Sequence, residues 1–209
     1  MRALEFVGKF LISVGVGILL FVGWTLWGTG FYTDRQQAAL ADEFDGAPRI
    51  EPQETGGPPE DFAPEPGEPV FRLRIPALDL RTVVVEGVGT EELRLGPGHY
   101  PECRSGFPPP LCMEFDSPWP GETGRVIVSG HRTTYGQPFW DLDKLRRGDE
   151  IEAVTRWGTF TYEVTSKQIV SPTDATVVRP SDIAEVVLTT CNPRFSAAER
   201  LIVYAEMQT

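Results

Sequence analysis

Positive charge is scarce in this chain: 19 Lys and Arg stand against 30 Asp and Glu, a formal net charge of −11. A nucleic-acid partner needs a basic face to neutralise phosphates, so that class of function is excluded. Histidine occurs only twice, at His99 and His131, and cysteine three times, at Cys103, Cys112 and Cys191. An odd cysteine count excludes complete pairing and leaves a thiol over. No internal repeat is visible, and beyond the N-terminal region helical signals are confined to short scraps.

The longest uniform feature is apolar. From Phe10 to Thr33 there is no charged side chain, enough to cross a bilayer, which takes about 20 apolar residues. Arg2 and Lys9 precede it, so residues 1–9 are expected in the cytoplasm, 10–33 in the membrane and the rest outside. Trp24, Trp27 and Tyr32 then fall near the outer interface, where amphipathic rings are favoured. Ala39-Leu40-Ala41 resembles a signal-peptide cleavage site. It lies far beyond the apolar run, however, and an h-region spans only about 7–15 residues. The reading is an uncleaved, single-pass anchor in the cell membrane with an extracellular domain. An oxidising exterior favours a Cys103–Cys112 disulfide. Closing that loop of about ten residues contributes roughly 2–3 kcal/mol, nearer the lower end because Pro108–Pro110 already stiffen it. Cys191 is the thiol left over.

Residues 34–69 change character. Between 42 and 68 lie nine acidic residues against Arg49 alone, with prolines at 48, 52, 58, 59, 64 and 66. No apolar face repeats, so the segment reads as an acidic, Pro/Gly-rich disordered linker. As a flexible coil it would hold the folded part ~30–35 Å off the bilayer.

Residues 70–209 make one domain of ordinary size. Phe71, Leu73 and Ile75 alternate onto one face. Strand-like runs follow at Thr82–Val85, Arg125–Val128, Glu150–Val154, Phe160–Val164, Glu185–Thr189 and Leu201–Ala205, with a hairpin turn at Trp157-Gly158-Thr159. Short helical signals sit at Thr90–Leu93, where Thr90 offers a cap, and at Pro138–Leu145. Seven or eight short strands with scraps of helix predict a mainly β fold, a closed or nearly closed barrel.

Three residues carry chemistry. Cys191 ends the run Val186–Thr190 and is followed by Asn192-Pro193, which leaves it at the lip of a strand. There a rigid scaffold can aim a nucleophile into an open groove. His131 ends Val126–Gly130 and supplies a proton carrier. A free thiol titrates near about 8.5, so a reactive one needs a cationic neighbour. Arg200 opens the last strand, and its planar fork suits an oxyanion. Arg194 is its rival, closer in sequence to Cys191 but on a loop, which fixes donors less well than a strand. Caspase-like enzymes place cysteine in a glutamine-alanine-cysteine context, and papain-like enzymes place it before the histidine; neither fits Thr189-Thr190-Cys191-Asn192.

Four motifs carry a family resemblance: Gly96-Pro97-Gly98-His99-Tyr100-Pro101, Ser129-Gly130-His131-Arg132-Thr133-Thr134-Tyr135-Gly136, Leu188-Thr189-Thr190-Cys191, and Glu199-Arg200-Leu201-Ile202-Val203. In this order they resemble the sortases, in particular the class E branch of actinobacteria. The resemblance covers about Val70 to Met207 and the anchor. It implies an eight-stranded sortase-type barrel and a cysteine transpeptidase; calcium dependence, seen in another branch, has no clear acidic ligand cluster here, so no metal and no cofactor are expected. Its substrates would be secreted proteins bearing a C-terminal LPXTG- or LAXTG-like sorting signal, cleaved between threonine and glycine. The acceptor would be an amine on a peptidoglycan precursor or a pilin lysine. Cys191 becomes the nucleophile, His131 the acid that protonates the leaving amine, Arg200 the oxyanion and substrate holder, and Thr190 a residue lining the groove.

Two departures stand out. Asn192 replaces a histidine often found after the cysteine in class E, and residues 102–120 look like an insertion that alters access to the site. The competing, non-catalytic reading is a membrane-tethered β-barrel binding module, in which Cys191 would be an unreactive buried thiol.

Overall fold

The computed structural model describes residues 2–103, 111–113 and 117–208. Helix α1 runs Arg2–Gly23 and passes through a π-helical turn, Trp24–Gly28, into α2, Thr29–Gly46. Eight strands follow: β1 Pro69–Ile75, β2 Leu80–Glu86, β3 Gly98–His99, β4 Gly124–Ser129, β5 Glu150–Val154, β6 Thr159–Val170, β7 Ala184–Asn192 and β8 Glu199–Met207. They close into a barrel in the order β1-β2-β3-β4-β7-β8-β6-β5. The expected eight-stranded β-barrel is what the chain forms.

Local sequence explains most of the elements. Pro76 cannot donate to the ladder and ends β1; Asp79 then turns the chain in a left-handed conformation, φ 50°. The β5–β6 turn is held by Thr155 Oγ1, which accepts from the amides of Trp157 and Gly158. Helix α3 spans Thr90–Leu95, but Gly89 occupies the cap position, so Thr90 does not cap. Of the Pro138–Leu145 signal only a 3-10 turn, Leu142–Lys144, forms.

Alternation sorts the strand side chains onto two faces. Phe71, Leu73 and Ile75 of β1, Val126 and Val128 of β4, Val186 and Leu188 of β7, and Leu201, Val203 and Ala205 of β8 fill the interior. Such residues contribute about 1.5–3 kcal/mol each when fully buried. The opposite faces of β4, β7 and β8 present Ile127, Val187 and Ile202, which pack under Met113 and Val177 as a second, outer cluster. His99 is fully buried; its Nδ1 lies 2.8 Å from Glu86 Oε2, and its ring stacks on Trp119 with centroids 4.4 Å apart. Its role is to join β3 to β2.

One pairing decides the architecture of the site. β4 and β7 run parallel, in register from Gly124 opposite Ala184 to Ser129 opposite Thr189. Parallel neighbours need a long crossover, and here it carries everything from Gly130 to Ile183. The two strands therefore end at the same rim of the barrel. β8, antiparallel to β7, begins there.

The N-terminal region differs from the sequence expectation. The helix long and apolar enough to cross a membrane is Leu4–Gly23, with none of it buried. Thr33 is buried against the barrel. Residues 34–69 are not a disordered spacer. Leu40 of α2 packs on Val83 and Val85, and Phe44 is buried under the guanidinium of Arg72, 5.5 Å from the ring centroid. Gln37 binds both backbone groups of Val83 and the carbonyl of Leu95. Farther on, Ile50 N–H donates to Arg156 O, and Phe62 packs edge-on against Trp119 and Trp157, centroids 5.0 and 5.3 Å away. The segment's few apolar residues show no period of their own because they fit grooves that the barrel already provides. Tertiary contact overrides composition, and the 30–35 Å spacing goes with it.

Candidate active site

The rim where β4 and β7 end is built residue by residue. Gly130 N–H donates to Thr189 O at 3.1 Å, carrying the parallel register one step past the ladder. His131 and Cys191 each lie two residues beyond the last pair of that ladder, Ser129 opposite Thr189. On the other flank Cys191 is the direct register partner of Arg200. Alternation puts Cys191 and its partner Arg200 on one face, with Ile127 and Ser129 of β4, Val187 and Thr189 of β7, and Ile202 of β8; His131 follows the end of β4. That is the outer face, not the packed interior, and Cys191 is half-buried rather than sealed.

A cleft of roughly 540 Å³ lies over this face. Its apolar walls include Ile127, Val170, Val177, Val178 and Ile202, and Ser129, Thr189, Tyr100 and Arg200 supply polar groups. Arg200 donates through Nη1 to Ala197 O and Glu199 O, 3.1 and 3.0 Å away, and makes no ion pair among the described residues. Burial raises the Tyr100 phenol above its ordinary value, and the charge of Arg200 pulls against that rise. Burial also lowers the His131 imidazole below its ordinary value, which favours the neutral ring.

Arg194 is spent elsewhere. Its guanidinium donates to Trp140 O at 2.9 Å and Asp143 Oδ1 at 2.8 Å, and lies over the Trp140 ring, 4.8 Å from the centroid. It clamps the β7–β8 loop to the 140–143 segment. Of the two arginines, Arg200 is the one brought to Cys191.

Thr190 is corrected by the structure. Alternation turns it inward, where it is 2% exposed and donates through Oγ1 to Gly130 O at 2.7 Å. It stitches β7 to the end of β4 and does not line the cleft. Thr189 does. Counting back by two from Cys191 would have found this.

Sequence reasoning also passed over Arg132. It is nearly fully buried; Nη1 donates to Cys191 O and Asn192 Oδ1 at 3.2 and 2.6 Å, and Nη2 lies 2.9 Å from Asp143 Oδ1. Burial alone would raise the Asp143 carboxyl, but the Arg132 hydrogen bond and the charges of Arg194 and Arg132 outweigh it and hold it below its ordinary value. Asn192 donates in turn to Glu199 Oε2 at 2.7 Å. The position where a histidine was expected is thus a tie between β7 and β8. The only sequence sign of Arg132 is its place directly after His131.

Cys103 and Cys112 are disulfide-bonded, and Cys112 borders the cleft. The expected insertion therefore flanks the site; Pro108–Pro110 within it lie outside the described residues.

A sulfur nucleophile, a proton carrier and a cation at one rim, next to an open cleft, are the kinds of group that acyl transfer uses.

Known proteins carry the same plan. A family model described as the sortase domain matches residues 73–208. Sortase D of Bacillus subtilis (strain 168) is 30% identical over 216 residues, which span 96% of each chain. The crystal structure of Sortase E1 from Streptomyces coelicolor with a tripeptide in its active site superposes with a TM-score of 0.58, at 29% identity, over 70% of this chain and 92% of that one. A Clostridium perfringens Sortase D5 transpeptidase, 24% identical, shares the fold with a TM-score of 0.64 over 84% of this chain and 99% of that one.

Proposed function

Because the chain belongs to the sortase family of cysteine transpeptidases, we propose that Cys191 is its nucleophile, His131 its proton donor and Arg200 its oxyanion holder. Sortases act on proteins bearing a sorting signal and on an amine acceptor. In the proposed reaction the Cys191 thiol passes its proton to the neutral His131 ring as its sulfur attacks the threonine carbonyl of an LPXTG- or LAXTG-like signal lying in the cleft. The apolar walls take the first two residues of the signal, and Arg200 faces the oxygen as it gains charge. The threonine–glycine C–N bond then breaks, the glycine amine leaves with a proton from His131, and a thioester remains on Cys191. An incoming amine, on a peptidoglycan precursor or a pilin lysine, attacks the thioester, forms the new amide and releases the sulfur, the surplus proton of its nitrogen passing through His131 to Cys191.

The observation that supports this reading is the parallel β4–β7 pair, whose ends lead into His131 and Cys191, together with the register of Cys191 opposite Arg200. The catalytic domain is extracellular in this proposal, anchored by Leu4–Gly23 with Arg2 on the cytoplasmic side. The test uses the full chain in detergent and fluorogenic peptides of both signal types. Cleavage, and capture of the acyl group by hydroxylamine, should vanish in Cys191→Ala and His131→Ala. Wild-type turnover in either variant refutes the assignment.

A further inference from the structure

The loop that follows His131 is held in an unfavourable shape. Tyr135, Gly136 and Gln137 all adopt positive φ, at 50°, 72° and 44°. Two of the three are not glycine, and such residues persist only where their surroundings over-determine them. The loop closes on itself through Phe139 N–H to His131 O and Gln137 N–H to Thr134 O, 3.1 and 2.9 Å. Arg132 ties its start to Cys191 O and Asn192 Oδ1; the restraints on Tyr135 and Gly136 come from outside the barrel.

They come from α2. Tyr135 N–H donates to Thr29 Oγ1 at 3.2 Å. A Cβ on Gly136 would stand 3.2 Å from the Thr33 methyl, so the loop backbone lies directly against this helix. Thr33 donates through Oγ1 to Arg94 O at 3.0 Å, and the Arg94 guanidinium lies over the Tyr135 ring, 5.8 Å from its centroid. The Tyr135 ring in turn meets His131, with centroids 5.0 Å apart and planes tilted by 37°. Two turns on, Gln37 fastens α2 to β2.

We infer that Tyr135 is a positioning residue for His131, and that α2, the helix continuing from the apolar N-terminal span, is what holds it in place. The inference rests on the assignment of His131 as the proton donor. In this chain the proton-transfer step is coupled to a helix outside the barrel. Thr29 lies six residues beyond Gly23, about 9 Å along a helix axis at 1.5 Å per residue. The histidine loop is therefore fixed from the juxtamembrane end of the molecule, and its geometry depends on α2 being seated.

The experiment uses the full chain in detergent micelles, with Tyr135→Ala, Tyr135→Phe and Thr29→Val made separately and His131→Ala as reference. Misplacing a reacting group by an ångström costs up to about 10²-fold, so Tyr135→Ala should lower kcat about 10-fold or more. Its KM and the alkylation rate of Cys191 should stay unchanged. Tyr135→Phe keeps the ring and should restore turnover. Thr29→Val keeps the shape of the side chain but removes the oxygen; it should lower kcat and move the His131 ring resonances in NMR spectra. Wild-type kcat in Tyr135→Ala overturns the inference while inactive His131→Ala leaves the proton-donor assignment standing. A rise in KM alone would make Tyr135 a substrate contact and also overturn it. If Tyr135→Ala does not fold, Thr29→Val decides: unchanged His131 resonances and unchanged kcat refute the coupling. Wild-type turnover in His131→Ala would remove the assignment underneath, a failure distinct from the others.

Discussion

Replacing Arg200 by alanine tests the site most directly. Its guanidinium is held by two backbone carbonyls, Ala197 O and Glu199 O, and pairs with no carboxylate among the described residues. The side chain is half-buried at the start of β8, so its removal leaves no buried charge unpaired and should lower stability by no more than about 1 kcal/mol. Its effect on the reaction should be much larger. Loss of a preorganised oxyanion donor costs about 2.7–4 kcal/mol, or 10²–10³ in rate. Arg200→Lys should recover little, because a point charge cannot keep both carbonyl contacts and still present a second donor to the oxygen. The assay is kcat/KM on a fluorogenic sorting-signal peptide, with the thermal midpoint recorded alongside. Arg194→Ala is the companion: it should leave chemistry nearly intact but destabilise by about 1–2 kcal/mol through the lost bonds to Trp140 O and Asp143. If Arg200→Ala retains kcat/KM within about threefold, or if Arg194→Ala abolishes turnover in a folded protein, the argument from strand register is wrong.

The adjacent threonines should separate. Thr190→Val strands the buried Gly130 carbonyl and should cost about 1–3 kcal/mol by chemical denaturation with KM unchanged, whereas Thr189→Val should raise KM with little loss of stability. Removing residues 1–46 uncovers the groove that holds Leu40 and Phe44, about 3–6 kcal/mol as an upper bound from their burial; a fragment as stable as the full chain would contradict the docking of α2. Stability should also fall as pH drops from about 7.5 to 5.5. His131 binds its proton less readily when folded, so below the unfolded value of about 6.5 the unfolded chain takes up a proton that the folded one resists. The Asp143 and Asp174 carboxyls lie below their ordinary values and do not titrate in that window. Denaturant midpoints at the two pH values should therefore differ less in His131→Asn than in the parent, and an equal slope in both would refute the attribution.

Local periodicity was enough to read much of this protein. Alternation in Phe71–Ile75 placed three side chains in the core, the Asn192-Pro193 step left Cys191 at a strand end, and an uninterrupted apolar run marked the N-terminal helix. Each is a property of a few neighbouring residues and one face. The inward turn of Thr190 was equally legible by the same count but overlooked. What lay outside the sequence was which strand ends meet. The strand that leads into His131 and the strand that carries Cys191 end at one rim only because β4 and β7, sixty residues apart in register, pair in parallel around a closed barrel, and no local signal encodes that choice. The same holds for Arg132, whose burial follows from the carbonyl and carboxylate that the crossover brings to it. It holds also for residues 34–69, whose acidic, proline-rich composition pointed to disorder. Their order comes from grooves on a barrel that composition alone cannot see.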